Sequence, residues 1–256
     1  MKAVFIGSGN LATHLATALQ EKGITISQIY SRTSTNASML ADKLKTSYTS
    51  DPTELILDAD IYFYALKDSA LTQFLKETNL PNAMHVHTAG SVSLSIFKEL
   101  TLNYGVFYPL QTFSKNKKVD FAEIPICIEA SNSEMQKKLL DIAHLLTQKT
   151  FIINSDQRKI LHLAAVFACN FSNYMYDVAS EILNDVGIGF EIMQPLISET
   201  AEKIKTMNPY EAQTGPAVRY DKAIIEKHMI MLKRYPKIRN IYKDLSKNIY
   251  VRHKKV

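Results

Sequence analysis

Two cysteines, Cys127 and Cys169, are all that 256 residues contain. Each stands in an apolar stretch, so buried thiols are expected rather than a disulfide. No apolar run approaches the ~18 residues that a membrane-spanning helix needs. The chain starts MKAVFIGSGN, with one Lys, a short apolar run and then glycines. A secretory leader would need a longer apolar region and a small-residue cleavage site, so a cytoplasmic location is expected. Metal-ligand spacing is also missing. His85 and His87, two apart on one strand, face the same way, but no cluster of His, Cys, Asp or Glu accompanies them. No metal is expected.

Net positive charge is lacking except at one end. The formal net charge is +5, and residues 233–256 hold nine Lys and Arg against a single acid, Asp244. The rest of the chain is slightly acidic. The basic end is read as a solvated helix terminus with a frayed tail rather than as a nucleic-acid surface. Length favours two domains, and 46% apolar residues suffice for a core.

The first part alternates strands with amphipathic helices. Strands are expected at Lys2–Ile6, Thr25–Tyr30, Ile61–Ala65, Met84–Thr88, Gly105–Tyr108, Ile124–Glu129 and Thr150–Ile153. Helices are expected at Leu11–Lys22, Ser34–Lys45, Ser69–Glu77, Leu94–Leu100 and Ser133–Gln148. This pattern predicts an α/β Rossmann domain, a doubly wound and mainly parallel sheet, over residues 1–154. The pattern changes after Asn154. Ser155 is a plausible helix cap, and residues 156–183 read as one long apolar, buried helix. Helical periodicity returns over 190–207 and from about 221, so residues 155–256 are expected to form an all-α domain.

Gly7-Ser8-Gly9-Asn10-Leu11-Ala12 follows a strand and opens a helix. In that place G-x-G-x-x-A is a dinucleotide pattern. Gly7 permits the tight turn, Gly9 admits the pyrophosphate, and Ala12 lets the helix pack close to the sheet. The helix start offers free N–H groups and partial positive charge. At the end of the second strand an NAD enzyme usually carries Asp or Glu for the ribose hydroxyl. Here Ser31-Arg32-Thr33 stands instead, a cation with hydroxyls suited to a 2′-phosphate. NADP is therefore expected over NAD. Ala65, Leu66 and Lys67 follow another strand and are expected along the nicotinamide side. His87, near a strand end, is a candidate substrate contact.

The second half carries a polar line on an apolar helix. His162, Val166 and Asn170 are spaced at i, i+4 and i+8, and Asn173 and Asp177 continue the line. Buried polar groups need partners, so the line points either to a ligand or to a network between helices. A second cluster contains Thr214, Gly215, Pro216, Arg219, Asp221 and His228. Arg219 suits a carboxylate, and Asp221 suits either orienting Arg219 or capping a helix.

GSGNLATHL at 7–15, YSRT at 30–33, HTAGS at 87–91, YPLQTFS at 108–114, HLAAVFACNF at 162–171 and TGPAVRYD at 214–221 carry a resemblance over nearly the whole chain. It resembles the 6-phosphogluconate dehydrogenase-like superfamily, which includes ketopantoate and pyrroline-5-carboxylate reductases. Within it the chain is similar to bacterial proteins that join a Rossmann-like domain to a helical domain of unknown function. The resemblance implies hydride transfer to or from a C=O or C=N bond, and a homodimer through the helical domain. Several relatives place a Lys four residues before an Asn on the first long helix of domain two. Here the Asn matches Asn170, the Lys position holds Val166, and His162 lies one turn earlier. The pyrroline-carboxylate reductases also lack that Lys. The expectation is an NADP(H)-dependent oxidoreductase acting on a 2-keto acid or cyclic imine acid. His162 would donate the proton and Asn170 would orient the substrate. Asn173, Thr214, Arg219 and His228 would bind substrate. The missing Lys also suits a different class, a non-catalytic NADP(H)-binding sensor.

Overall fold

The computed structural model describes residues 1–78 and 81–254. They divide into two compact units, Met1–Cys169 and Asn170–Val256.

The first unit is built on eight strands: β1 Lys2–Ile6, β2 Thr25–Tyr30, β3 Ser47–Thr49, β4 Ile61–Tyr64, β5 Met84–His87, β6 Tyr104–Pro109, β7 Ile126–Ala130 and β8 Thr150–Ile152. Their order in the sheet is β3-β2-β1-β4-β5-β6-β7-β8. Neighbours run parallel except β6 and β7, which are antiparallel. Strands alternate their side chains between faces. Ala3, Phe5, Ile61, Phe63 and Val86 therefore enter one apolar core, and Val4, Ile6, Tyr62 and Tyr64 enter another. Helices α1 Asn10–Glu21, α2 Ser34–Leu44 and α4 Ser133–His144 cover the first face. Helix α3 Asp68–Glu77 covers the second with Leu71, Phe74 and Leu75. Both faces are covered, as a parallel sheet requires.

Helix α5 Ser155–Ala165 belongs to the first unit, which therefore extends past the boundary expected after Asn154. Its cap is Asn154 rather than Ser155. Asn154 accepts from the Gln157 amide, and Gln157 accepts from the Asn154 amide, a reciprocal capping box. That releases the Ser155 side chain for other partners. Arg158, on the next turn, is 0% exposed and ties α5 to the sheet through the Glu129 carboxylate of β7.

Three other expectations need correction. The helix expected at 94–100 is a single 3₁₀ turn, Leu94–Phe97, begun by Ser93 accepting from the Ser95 amide. Strand β3 was not foreseen, because it has three residues and pairs only with β2. The long helix is not buried. Among its described residues only Arg158 is, and Cys169 is exposed while Cys127 is buried. The helix is not uniform either, because Val166–Phe171 form a π-helical turn.

The second unit contains helices and no strand among the described residues. After α6 Ser172–Asn184 come α7 Gln194–Thr206, α8 Pro209–Ala212, α9 Lys222–Met231 and α10 Pro236–His253. Gly187 at φ 73° ends the first of these stretches, a backbone region that glycine enters without a Cβ penalty. Asn208 caps α8 and Asp221 caps α9 through their side-chain oxygens. Asp221 thus serves the helix cap.

Candidate active site

The turn between β1 and α1 has the form that a pyrophosphate needs. Gly7 sits at φ 121°, and a Cβ there would overlap the Ala65 carbonyl at the end of β4. The neighbouring strand therefore requires this glycine. Gly9 is the N-cap of α1, and a Cβ built on it meets nothing within 4 Å. No side chain caps the helix, and no acid occupies its first turn. The Gly7 amide donates to the Tyr30 carbonyl at 2.8 Å; the amides that follow it and the positive end of α1 are left to an external anion. Ala12 is fully buried against the sheet, Ser8 is buried and Leu11 is partly so. These observations fit a dinucleotide.

Asn10 shows what the motif alone did not. Its Nδ2 donates to the Phe113 carbonyl at 2.7 Å, and His14 Nε2 lies 2.9 Å from the Ser114 carbonyl. The YPLQTFS segment is thereby pinned along α1. That bond takes one of the two Nδ2 hydrogens of Asn10, and the backbone amide remains for a phosphate.

Ser31, Arg32 and Thr33 fill the turn from β2 into α2. Thr33 is the N-cap of α2, again without a capping side chain, and the first turn has no acid. Arg32 is exposed and forms no ion pair among the described residues. Lys67 is exposed at the N-cap of α3, while Ala65 and Leu66 are half-buried. A hydrogen bond from the Ser91 hydroxyl to Asp68 ties the HTAGS loop to the start of α3.

His87 does not fit a substrate contact. It is fully buried, its Nδ1 accepts from the Ala89 amide at 3.2 Å, and its ring lies against Phe97. Burial, helped by the Arg158 charge, pushes its pKa down to about 3. The folded protein therefore refuses a proton that the unfolded chain accepts below about 6.5. Stability is complete above that pH and falls as pH drops toward 3, by at most ~1.4 kcal/mol per pH unit from this residue. Urea titrations across that range are expected to show a shallower fall for His87→Asn, which keeps an acceptor for the Ala89 amide. Equal slopes would contradict the assignment. His85, also buried, bridges Tyr64 Oη at 2.8 Å and the Pro81 carbonyl at 2.9 Å, and burial lowers its pKa too.

His162, on α5, is half-exposed and lies over the HTAGS loop. A Cβ on Gly90 would come within 2.7 Å of His162 Nδ1, so glycine at 90 makes room for the ring. The same nitrogen is 3.1 Å from the Tyr108 hydroxyl at the end of β6, and the two rings meet edge-on at 6.2 Å. In an open parallel sheet, ligands bind beyond the carboxyl ends of the strands. The ends of β1, β4, β5 and β6 supply Gly7, Ala65, Thr88 and Tyr108, so His162 stands beside that edge.

The π turn at Val166–Phe171 interrupts the four-residue spacing that placed His162 and Asn170 on one face. Asn170, Asn173 and Asp177 are exposed. Exposed to solvent, these polar side chains need no partner inside the protein, contrary to the expectation of a buried polar line. In the second unit Thr214 and Arg219 are exposed. His228 is half-buried, its Nδ1 2.8 Å from the Tyr242 hydroxyl. Among the described residues no group of three or more His, Cys, Asp or Glu side chains could hold a metal.

No curated protein sequence matches the chain. The family described as NADP oxidoreductase, coenzyme F420-dependent, matches residues 2–89, and a domain of unknown function, DUF2520, matches residues 124–249. Solved structures that resemble the chain include a putative NADP oxidoreductase from Bacteroides fragilis, 46% identical, with a TM-score of 0.94 and 98% of each chain covered. A pyrroline-5-carboxylate reductase from Streptococcus pyogenes shares the fold at 14% identity, with a TM-score of 0.65 and 98% of each chain covered. An imine reductase from Myxococcus stipitatus, solved with NADP+, does so at 17% identity, with a TM-score of 0.67, 98% of this chain and 92% of that one covered. At 46% identity over nearly its whole length, the chain belongs to the same family as the Bacteroides fragilis protein, NADP oxidoreductases in which a Rossmann domain precedes a helical domain.

Proposed function

We propose that the protein is an NADPH-dependent reductase of a small carbonyl or cyclic imine acid. The observation that carries this reading is the pair of uncapped, acid-free helix starts, α1 behind Gly7 and Gly9, and α2 behind Arg32. Amides of residues 8–12 hold the pyrophosphate, with Gly7 shaping the turn. Ser31, Arg32 and Thr33 hold the 2′-phosphate, and Ala65, Leu66 and Lys67 pass along the nicotinamide side. The bound dinucleotide supplies the hydride. His162 gives the proton that neutralises the charge left on the reduced oxygen or nitrogen. Arg219, Thr214, Asn170 and Asn173, expected from the sequence as substrate contacts, all belong to the second unit. His228 is held by Tyr242, so it is not assigned to substrate.

The cofactor part is tested by calorimetric titration of the purified protein with NADPH and NADH. NADPH is expected to bind more tightly. Arg32→Ala is expected to weaken NADPH about 10–100-fold, one charge-assisted contact to a phosphate, and to leave NADH as it was. Equal binding of the two dinucleotides would end the NADP assignment. The substrate class is tested by NADPH oxidation against a panel of 2-keto acids and cyclic imine acids. Silence across both classes would remove it.

The protein is further read as a homodimer through its second unit. Val186, Ile192, Leu196, Ile230 and Met231 are 59–71% exposed. So much exposed apolar surface on one set of helices is unusual for a monomer and suits a subunit interface.

A further inference from the structure

The Tyr108 hydroxyl has one hydrogen-bond partner among the described residues, Nδ1 of His162 at 3.1 Å. Tyr108 as a residue is 8% exposed and its contact with His162 is part-buried, so the ring nitrogen is the acceptor the protein offers its hydroxyl hydrogen. If Nδ1 carried the ring proton, that proton would point at the phenol oxygen and the phenol hydrogen would be left over. An unpaired buried donor costs on the order of 1–3 kcal/mol. With Nδ1 unprotonated, the phenol donates to it and nothing is orphaned. The neutral ring then carries its proton on Nε2.

We infer that Tyr108 is the positioning residue for His162: its hydroxyl holds Nδ1, so that Nε2 is the nitrogen that works on the substrate. The inference rests on the proposed role of His162 and deepens it. Gly90 acts with Tyr108, because only a residue without a Cβ leaves room for the ring in this position. The anchor is strongest for the neutral ring, toward which the hydroxyl donates; toward an imidazolium the hydroxyl can only accept from Nδ1–H, and its own hydrogen is then without that partner. In the proposed step the imidazolium loses its Nε2 proton to the substrate oxygen or nitrogen. That atom gains the N–H or O–H bond, and the ring is left neutral, to be reprotonated from water. Tyr108 does not supply the proton itself. Burial raises its pKa, which opposes a phenolate at this position.

The test uses the full-length protein with ¹⁵N-labelled histidine. Long-range ¹H–¹⁵N spectra, taken where the ring is neutral, are expected to show His162 Nδ1 unprotonated and hydrogen-bonded, with Nε2 protonated. Tyr108→Phe is expected to remove the hydrogen-bonded Nδ1 signal and bring in the second tautomer, with NADPH affinity unchanged. On the substrate found with the panel, Tyr108→Phe is expected to lower kcat roughly tenfold, the loss of one hydrogen bond of about 1.4 kcal/mol. In a His162→Ala background the same change is expected to cost nothing more, because Tyr108 acts through His162. A protonated Nδ1 in the neutral wild-type ring, or a Tyr108→Phe enzyme with unaltered tautomer and kcat, would overturn the inference. Full turnover by His162→Ala would instead overturn the proposed role of His162 as proton donor, and the spectra would still decide whether Tyr108 sets the tautomer.

Discussion

Replacing His162 with alanine is expected to slow turnover by about 10²–10⁴-fold, the usual contribution of a placed general acid, while NADPH binds as before. The reason is a charge that has nowhere else to go. Hydride addition leaves negative charge on a carbonyl oxygen, or a lone pair on an imine nitrogen, and that atom must be protonated for the reaction to finish. Val166, one turn after His162, carries no ionisable group, so the helix offers no ammonium there. Tyr108 is disfavoured as a source because its burial opposes the phenolate. His87 is enclosed and held neutral by the same physics. His162 is half-exposed beside the carboxyl edge of the sheet, where its ring can reach a reacting atom. Stopped-flow oxidation of bound NADPH, with substrate in excess, checks the prediction. His162→Gln is the sharper control: it keeps a hydrogen-bonding side chain but cannot deliver a proton. If the glutamine enzyme turns over at the wild-type rate, the histidine only orients, and the proton comes from elsewhere.

That histidine shows where the sequence was legible and where it was not. Apolar runs bounded by glycine and polar turns revealed β1, β2, β4 and β5, because a strand buried on both faces has little freedom in composition. Gly7 and Gly9 were legible for the same kind of reason: one needs positive φ beside a carbonyl, the other needs empty space. Strand β3, Ser47–Thr49, was not, since three mostly polar residues on an edge carry no periodic signal. His162 was found from its spacing on a helix, yet two premises of that argument fail. The helix is exposed rather than buried, and a π turn breaks the period before Asn170. Periodicity tells which face of a helix is apolar. It does not tell what covers that face, so exposed Cys169 and Leu163 read like core residues. The partners of His162 were out of reach as well. Tyr108 is 54 residues away, and only the pairing of β5 with β6 brings Gly90 and Tyr108 under the same ring.

Arg158 lay furthest from view, since arginine is among the residue types least often buried. It gives the largest expected effect on stability. Glu129→Ala is expected to destabilise the folded protein by about 3–5 kcal/mol, because it leaves a buried guanidinium without its counter-charge. The Glu129 carboxylate accepts from Arg158, from the Ser155 amide at 2.8 Å and from the Ser155 hydroxyl at 2.9 Å. Arg158 also donates to the Val92 carbonyl, and the Ser155 hydroxyl accepts from the Leu94 amide at 2.9 Å. One carboxylate thus joins β7, the start of α5 and the chain just after the HTAGS loop. The ion pair itself need not be strongly stabilising. Desolvating two charges costs several kcal/mol each, and their attraction repays this only through good geometry and added hydrogen bonds. The asymmetry gives the test. Urea unfolding of the double variant Glu129→Ala, Arg158→Met should recover part of the loss, because no charge is then buried alone. If the double variant is as unstable as the sum of the two single ones, the two residues act independently and Glu129 is not what makes Arg158 tolerable in the interior. If it recovers, the pair earns its place by holding α5 against the sheet. Its removal should then misplace His162 and lower turnover even where the protein remains folded.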